Sequence, residues 1–261
     1  MNNAYGDESC GEDYVSYAFV SAKDEKLREL ESSINTIKLK FGGSPQFKLH
    51  CRELFAGDAR AKSSWSHLES NDVFQLYEEL LALFVGTEYY KVVSIAKIAE
   101  FPKELPSAEM THIEPEKKIP SIWTKRVPLK SKQLALFCAQ GALIDVENQL
   151  GFENTRFWLD PDYSRVDWFH GKTKATPQIE NIFIDIDPSK EPKKMRAIPI
   201  SEINVSLLEI ADCIAYTAQK KNTFNATKRG HKFKKLFEIA SPRVVRFSVH
   251  QNGRFGFLVP K

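Results

Sequence analysis

Within the first forty-one residues the apolar positions change their spacing, and that change fixes the class of fold. Residues 4–9 (AYGDES) and 14–22 (YVSYAFVSA) are short runs rich in Tyr, Val and Phe. The Cys10–Asp13 stretch between them (CGED) reads as a hairpin turn. Leu27, Leu30, Ile34, Ile37 and Phe41 then recur at steps of three and four, the spacing of one helical face, and Gly42-Gly43 ends it. Ser21 with Asp24 is expected to form the capping box of this helix. A hairpin that feeds into an amphipathic helix calls for a sheet with helices laid on it.

The rest of the chain keeps that alternation. FKLHCREL (47–54) is expected to be a short strand or bend. A helix is predicted over 72–85, capped by Asn71 or Asp72, with Phe74, Tyr77, Leu80, Leu81 and Phe84 facing inward. A strand is predicted over 89–99. Residues 101–130 contain Pro102, Pro106, Pro115, Pro120 and Pro128, so an insert loop is expected there, without helix or central strand. A helix at 131–150, a strand at 155–160, strand-like segments at 179–186 and 196–200 and a helix at 206–221 follow. The close is a basic extension over 222–261 that includes the hairpin RVVRFSVHQNGRFGFLVP, with an Asn252-Gly253 type I′ turn signal. The expected architecture is a single α/β domain over 1–261, a mixed sheet flanked by helices.

Composition narrows the class. With 42% hydrophobic and 27% charged residues the chain is ordinary globular protein, neither collagenous nor low-complexity. No apolar run approaches the roughly 20 residues of a bilayer helix. The acidic start, MNNAYGDESCGEDYV, lacks a signal-peptide layout, so a cytoplasmic protein without a membrane partner is expected. Cys10, Cys51, Cys138 and Cys213 are scattered with no CxxC pair, the pattern of reduced thiols. The net charge of +3 hides an asymmetry: residues 1–100 hold 11 Lys/Arg against 16 Asp/Glu, a net of −5, and residues 201–261 hold 11 against 4, a net of +7. A basic end on an acidic front half points toward polyanions or toward a merely solvated face.

Four acids stand where chemistry could be built. Asp7 is expected to end the first strand and Asp160 ends RFWLD; strand ends face the mouths where ligands bind in α/β folds, although an Asp at a turn often serves the turn's own backbone. Asp212 lies on the flank of a stripe made by Leu207, Leu208, Ile210, Ala211, Ile214, Ala215 and Ala218, while Glu209 is expected to point toward water. A helical carboxylate at a core boundary needs a partner, a cation or a cleft. Glu53 has His50 three residues before it. Such acids could converge on Mg²⁺ or Mn²⁺, which take carboxylate oxygens and water, and two such ions about 3.5–4 Å apart support phosphodiester hydrolysis. Residues 220–235 are expected to track a nucleic-acid backbone, with Lys228, Arg229, Lys232, Lys234 and Lys235 of KRGHKFKK as the contacts. Trp123 and Trp168 are weaker candidates for stacking on bases. A thiol nucleophile at Cys51 and a serine nucleophile at Ser9 lack the context such groups need.

YGDES, LHCREL, the strand-end Asp160 and LLEIADCIAYTA together resemble the bacterial family catalogued as domain of unknown function 3800. Its members open with Tyr-x-Asp-Glu-Ser-Gly, carry a His/Glu element after the first long helix and close with Leu-Gln-x-Ala-Asp-x-x-Ala. The resemblance runs from about residue 4 to 218. Cys10 stands where the family has Gly, and Glu209 where it has Gln. The resemblance implies a ribonuclease H-like fold whose acidic quartet binds two Mg²⁺ or Mn²⁺ ions, with Asp7, Glu53, Asp160 and Asp212 in those positions. In ribonuclease H folds the second acid comes from the helix before the fourth strand, which here offers Glu147; Glu53 is preferred over it because the His/Glu element matches the family. The implied function is a metal-dependent nuclease. The alternatives are a catalytically silent nucleic-acid-binding module, as in a defence or mobile-element system, and a phosphatase-type hydrolase acting on a small substrate.

Overall fold

The computed structural model describes residues 1–110, 122–151, 154–159, 205–224, 226–249 and 255–258. The opening hairpin is β1 (Asn2–Cys10) and β2 (Tyr14–Lys23), antiparallel and in register from Asn2 opposite Lys23 to Cys10 opposite Val15. The strand β3 (Tyr90–Lys97) extends the meander antiparallel to β2. Chain order continues through β4 (Glu104–Met110), β5 (Ile122–Pro128), β6 (Thr155–Leu159), β7 (Arg243–Val249) and β8 (Phe255–Leu258). β6 lies parallel to β1 and β7 parallel to β3, giving a mixed six-stranded sheet of order β6-β1-β2-β3-β7-β8. β7 and β8 form the expected closing hairpin; its Asn252-Gly253 turn lies outside the described residues.

Helices cover both faces. On one lie α1 (Leu27–Lys40), α2 (Cys51–Phe55), α4 (Ser70–Ala82), α6 (Val205–Thr223) and α7 (Lys228–Ala240), with the four-residue α3 (Gly57–Arg60) beside α2. The other is covered by α5 (Ser131–Leu150), whose Leu134, Cys138, Ala142, Leu143 and Val146 pack on Val15, Tyr17, Phe19 and Val245. Strand alternation assigns β1 to these faces: Tyr5 is buried with the five-helix side, and Ala4 with α5. Asp7 shares the parity of Tyr5 and opposes Ala18, also on the five-helix side.

Several expectations are corrected. β1 does not end at Asp7 but continues to Cys10, because its pairing with β2 persists through Cys10 opposite Val15. β2 in turn runs through Ser21, which is buried in the strand and is no helix cap. Asp24 instead begins a single 3-10 turn before α1 and accepts a 2.6 Å hydrogen bond from the Asn3 amide. α1 does stop at the glycine pair: Gly42 has φ +74°, which a residue with a side chain rarely adopts, and Gly43 N–H closes on the Lys38 carbonyl. Residues 47–54 make a bend followed by the five-residue α2, not a strand. α4 begins at Ser70, capped by Glu69, whose N–H donates to Asp72 at 2.8 Å. In the proline-rich stretch β4 and β5 pair as a two-stranded ribbon of their own rather than a loop. Pro106 and Pro128 are tolerated because such a ribbon leaves its outer edges unpaired. The candidate strands at 179–186 and 196–200 lie outside the described residues. No helix among the described residues is long and apolar enough to cross a membrane.

Gly6, beside Asp7 in β1, has a packing reason. A Cβ there would sit 2.4 Å from a ring carbon of Phe19 and 2.8 Å from one of Tyr17. Gly6→Val should therefore overpack the α5 face and cost about 1–3 kcal/mol. A urea melt with an unchanged midpoint would show that the two rings move aside freely.

Candidate functional site

α6 runs alongside β1 in the same direction, and its contacts place the acids. Ser16, opposite Ser9 on β1, donates to the Ala215 carbonyl at 2.7 Å, and the Ser9 hydroxyl donates to the Gln219 side-chain oxygen at 2.9 Å. One turn before Ala215 is Asp212, near enough to Asp7 for the two charges to act on each other. An acid of the first strand and an acid of the late helix are thus brought together across about 200 residues.

Every residue from Ser206 to Gln219 is buried. The sheet covers one side of α6, and residues 47–51 with α1 cover another. Glu209 is therefore not turned to water, as the helical wheel suggested: it is 8% exposed. Its Oε2 accepts from the Lys38 ammonium at 2.8 Å and its Oε1 from the Leu49 N–H at 2.8 Å. Lys38, 2% exposed, also donates to the Phe47 carbonyl at 2.9 Å. Burial raises the Glu209 carboxyl above its ordinary range, against the opposing pull of Lys38 and the Leu49 N–H.

Asp212 is 6% exposed, deeper than the core boundary predicted for it. Its Oδ2 accepts from the Cys51 N–H at 2.8 Å. Burial pushes its carboxyl well above the ordinary carboxylate range, and the charge of Asp7 adds to that push, while the Cys51 N–H opposes it. Around it lie the buried thiols of Cys51 and Cys213 and the Tyr77 phenol, with Cys51 and Tyr77 both pushed up chiefly by burial. A thiol raised in this way has none of the thiolate character of a nucleophile, which agrees with the sequence reading of Cys51.

The other candidates fall as follows. Asp7 is half-buried and its Oδ1 accepts from the Glu8 N–H at 2.8 Å, a local bond to the backbone of its own neighbour. Glu53 is 53% exposed on α2 and lies 3.5 Å from His50 Nδ1, a pairing at the surface. Glu147 belongs to α5, on the opposite face of the sheet from α6. Trp123 stands in β5, in register with Glu109 of the separate ribbon. Asp160 and Trp168 lie outside the described residues; the described part of β6 ends at Leu159, in register with Gly6. Among the described residues no group of three or more His, Cys, Asp or Glu is gathered to hold a metal ion.

The basic run forms α7 rather than a solvated start alone. Phe233, Leu236 and Phe237 are buried, and Lys228, Arg229, Lys232, Lys234 and Lys235 are exposed. Lys232 donates to Asn71 at 2.6 Å, Lys235 pairs with Glu78 at 2.6 Å and Lys234 lies 3.7 Å from Glu238. The Arg229 guanidinium donates to the Phe55 carbonyl. Sequence reasoning overlooked Arg52, which directly follows the residue whose N–H holds Asp212. A single Arg inside LHCREL carries no signal of its own, because its position arises from a contact spanning 161 residues.

Lys38→Met should leave Glu209 as a buried charge without its cation and cost about 3–5 kcal/mol. Adding Glu209→Gln keeps an acceptor for the Leu49 N–H and should recover a large part of that loss. A double variant no more stable than Lys38→Met in thermal or urea unfolding would show that charge is not what the pair balances.

No family model, curated protein or solved structure matches this chain.

Proposed function

We propose that the chain is a divalent-metal-dependent nuclease of ribonuclease H-like fold, with Asp7 and Asp212 at its centre and Asp160 as a further candidate ligand. One observation carries the reading. Asp212 is buried against the like charge of Asp7, and among the described residues no lysine or arginine pairs with it. A carboxylate so placed is costly unless a cation joins it. Two facing carboxylates are hard oxygen donors of the kind Mg²⁺ and Mn²⁺ select, and the Cys51 N–H engages only Oδ2 of Asp212. The antiparallel β1-β2-β3 meander with a parallel strand beside β1 supports the ribonuclease H-like assignment. Asp160 follows Leu159, the partner of Gly6, so the sequence next reaches an acid just as β1 reaches Asp7.

When bound, such ions activate a water and stabilise the leaving oxygen of a phosphodiester. The chain's own residues do the positioning. The Cys51 N–H fixes the rotamer of Asp212, and the 47–51 segment, tied to α6 through Glu209, holds that N–H in place. Asp7 is held on β1 by its bond to the Glu8 N–H. Glu53, exposed beside this segment, is the candidate for orienting water.

Asp7→Asn/Asp212→Asn removes the repulsion with little change of shape, and the amide oxygen that replaces the Asp212 carboxylate can still accept from the Cys51 N–H. Asp212's folded pKa lies above its unfolded value, near 4 for an ordinary Asp. Its contribution therefore favours the native state below about pH 4 and is lost as pH rises above that value. Without metal the double variant should melt at or above the wild-type temperature at pH 7, and its stability should depend less on pH above about 4. Mg²⁺ or Mn²⁺ should raise the wild-type melting temperature by mass action and leave the variant unmoved. Wild type alone should cleave a panel of single- and double-stranded DNA and RNA. Binding without metal-dependent cleavage would favour the silent binding module, and equal metal response in both proteins would remove the acids from the site.

A further inference from the structure

We propose that Arg52, Lys220 and Arg229 form a subsite for a backbone phosphate of a nucleic-acid strand, set on the aromatic platform of Phe55, Tyr216 and Phe233. The proposal rests on the nuclease reading for its strand and adds to it the place where that strand is gripped.

Three helices supply the cations. Arg52 is exposed on α2, one residue after the N–H that binds Asp212. Arg229, at the start of α7, is fixed by its bond to the Phe55 carbonyl and lies 5.8 Å from the Phe233 ring centre. Lys220, on α6, lies 5.2 Å from the ring centre of Tyr216 and 5.6 Å from that of Phe224. The rings bind these supports into one surface: Phe55 stacks on Tyr216 at 5.5 Å and 7°, and Phe233 meets both edge-on.

Charge marks this group off from two lysines of the basic tail. Lys234 and Lys235 are engaged by Glu238 and Glu78. Among the described residues Arg52, Lys220 and Arg229 have no carboxylate partner; Arg229 and Lys220 are held by a carbonyl and by rings, which fix direction without neutralising charge. Burial lowers the Lys220 ammonium pKa first, and the nearby charges of Arg229 and Arg52 lower it further, with Glu12 and Asp13 of the β1–β2 turn opposing them. An anion arriving between the three cations relieves that crowding, and the guanidinium forks suit phosphate oxygens. Glu12 and Asp13 also repel an anion from the turn, leaving the side of the two arginines as the approach.

Position supplies the link to a strand. Lys220 is eight residues beyond Asp212 on the same helix, about 12 Å at 1.5 Å per residue. That separation is several times the roughly 3.4 Å axial advance per base step, so a phosphate gripped there and one held at the acids belong to different nucleotides of a strand. A small phosphorylated substrate cannot reach both.

The test is binding of a labelled single-stranded oligonucleotide to the full chain in EDTA, followed by anisotropy across a salt series. Removing the contact to one backbone phosphate predicts that Arg52→Gln/Lys220→Gln/Arg229→Gln flattens the slope of log K against log salt by about 0.7. Arg52→Lys/Lys220→Arg/Arg229→Lys keeps the charge and should keep the slope, which separates lost contact from lost folding. An unchanged slope in the Gln variant, or a loss equal in both variants, overturns the subsite. Displacement of the oligonucleotide by inorganic phosphate at concentrations that do not act through ionic strength also overturns it, in favour of a free-phosphate site. Because metal is absent throughout, failure of the nuclease reading would appear separately, as wild-type binding with no cleavage when Mg²⁺ is restored.

Discussion

The capture of residues 47–51 by two buried carboxylates of α6 is the contact on which the rest of this side of the molecule depends. Residues 47–50 have no helix or strand to satisfy their backbone, and Leu49 is buried in the core shared with α1 and α6 while Lys48 and His50 are exposed. Glu209 accepts the Leu49 N–H and Asp212 the Cys51 N–H, both at 2.8 Å. Trp65, fully buried, donates to the Lys48 carbonyl, and Lys38 donates to that of Phe47. A buried backbone group left unpaired costs about 1–3 kcal/mol, so the two buried N–H groups could not be placed here without these partners. The segment in turn starts α2, whose Phe55 meets Phe74, Tyr77, Tyr216 and Phe233 and so joins α2, α4, α6 and α7 in one aromatic cluster.

How much of this was legible in the sequence depended on the range of the interaction concerned. The opening hairpin, α1, α4, β3, α5 and α6 were visible because period-two and period-three-to-four patterns are local consequences of which face is buried. Asp7 and Asp212 stood out singly, as a carboxylate in an apolar strand and another beside an apolar helical stripe, but their pairing came from the family resemblance and not from local pattern. Ser21 misled because Ser-x-x-Asp is a capping box only if the strand has already ended, and β2 runs on, tied to β1 through Lys23. Glu209 misled because a helical wheel takes the side opposite the stripe to be solvent. Here Lys38 and the Leu49 N–H, 171 and 160 residues away in sequence, occupy that side. The prolines of 101–130 ruled out a central strand but not a ribbon standing apart from the main sheet.

Buried polar groups on the other face show what a settled ion pair looks like in this fold. Asp145 of α5, 1% exposed, accepts from Arg243 at 3.0 Å and from the Tyr90 hydroxyl, tying α5 to β7 and β3. Acid, cation and hydroxyl are all accounted for there, and the group needs nothing from outside to be stable. Such a triad ties a helix to strands.

Glu209 and Asp212 make the same comparison within one turn of one helix. Both are buried, both accept a backbone N–H from the same bend, and both are pushed upward by burial. They differ in the charge that acts on them most among the described residues. Glu209 has the Lys38 ammonium at 2.8 Å, whereas Asp212 has the carboxylate of Asp7. A buried acid matched by a cation is explained by the fold alone, and its burial says nothing about activity. A buried acid faced by another acid is destabilising as it stands, and the fold could have set a lysine against it, as it does for the acid one turn earlier. Among the described residues no cation stands against Asp212, and it is this asymmetry, more than the count of acids, on which the proposal of a divalent ion rests.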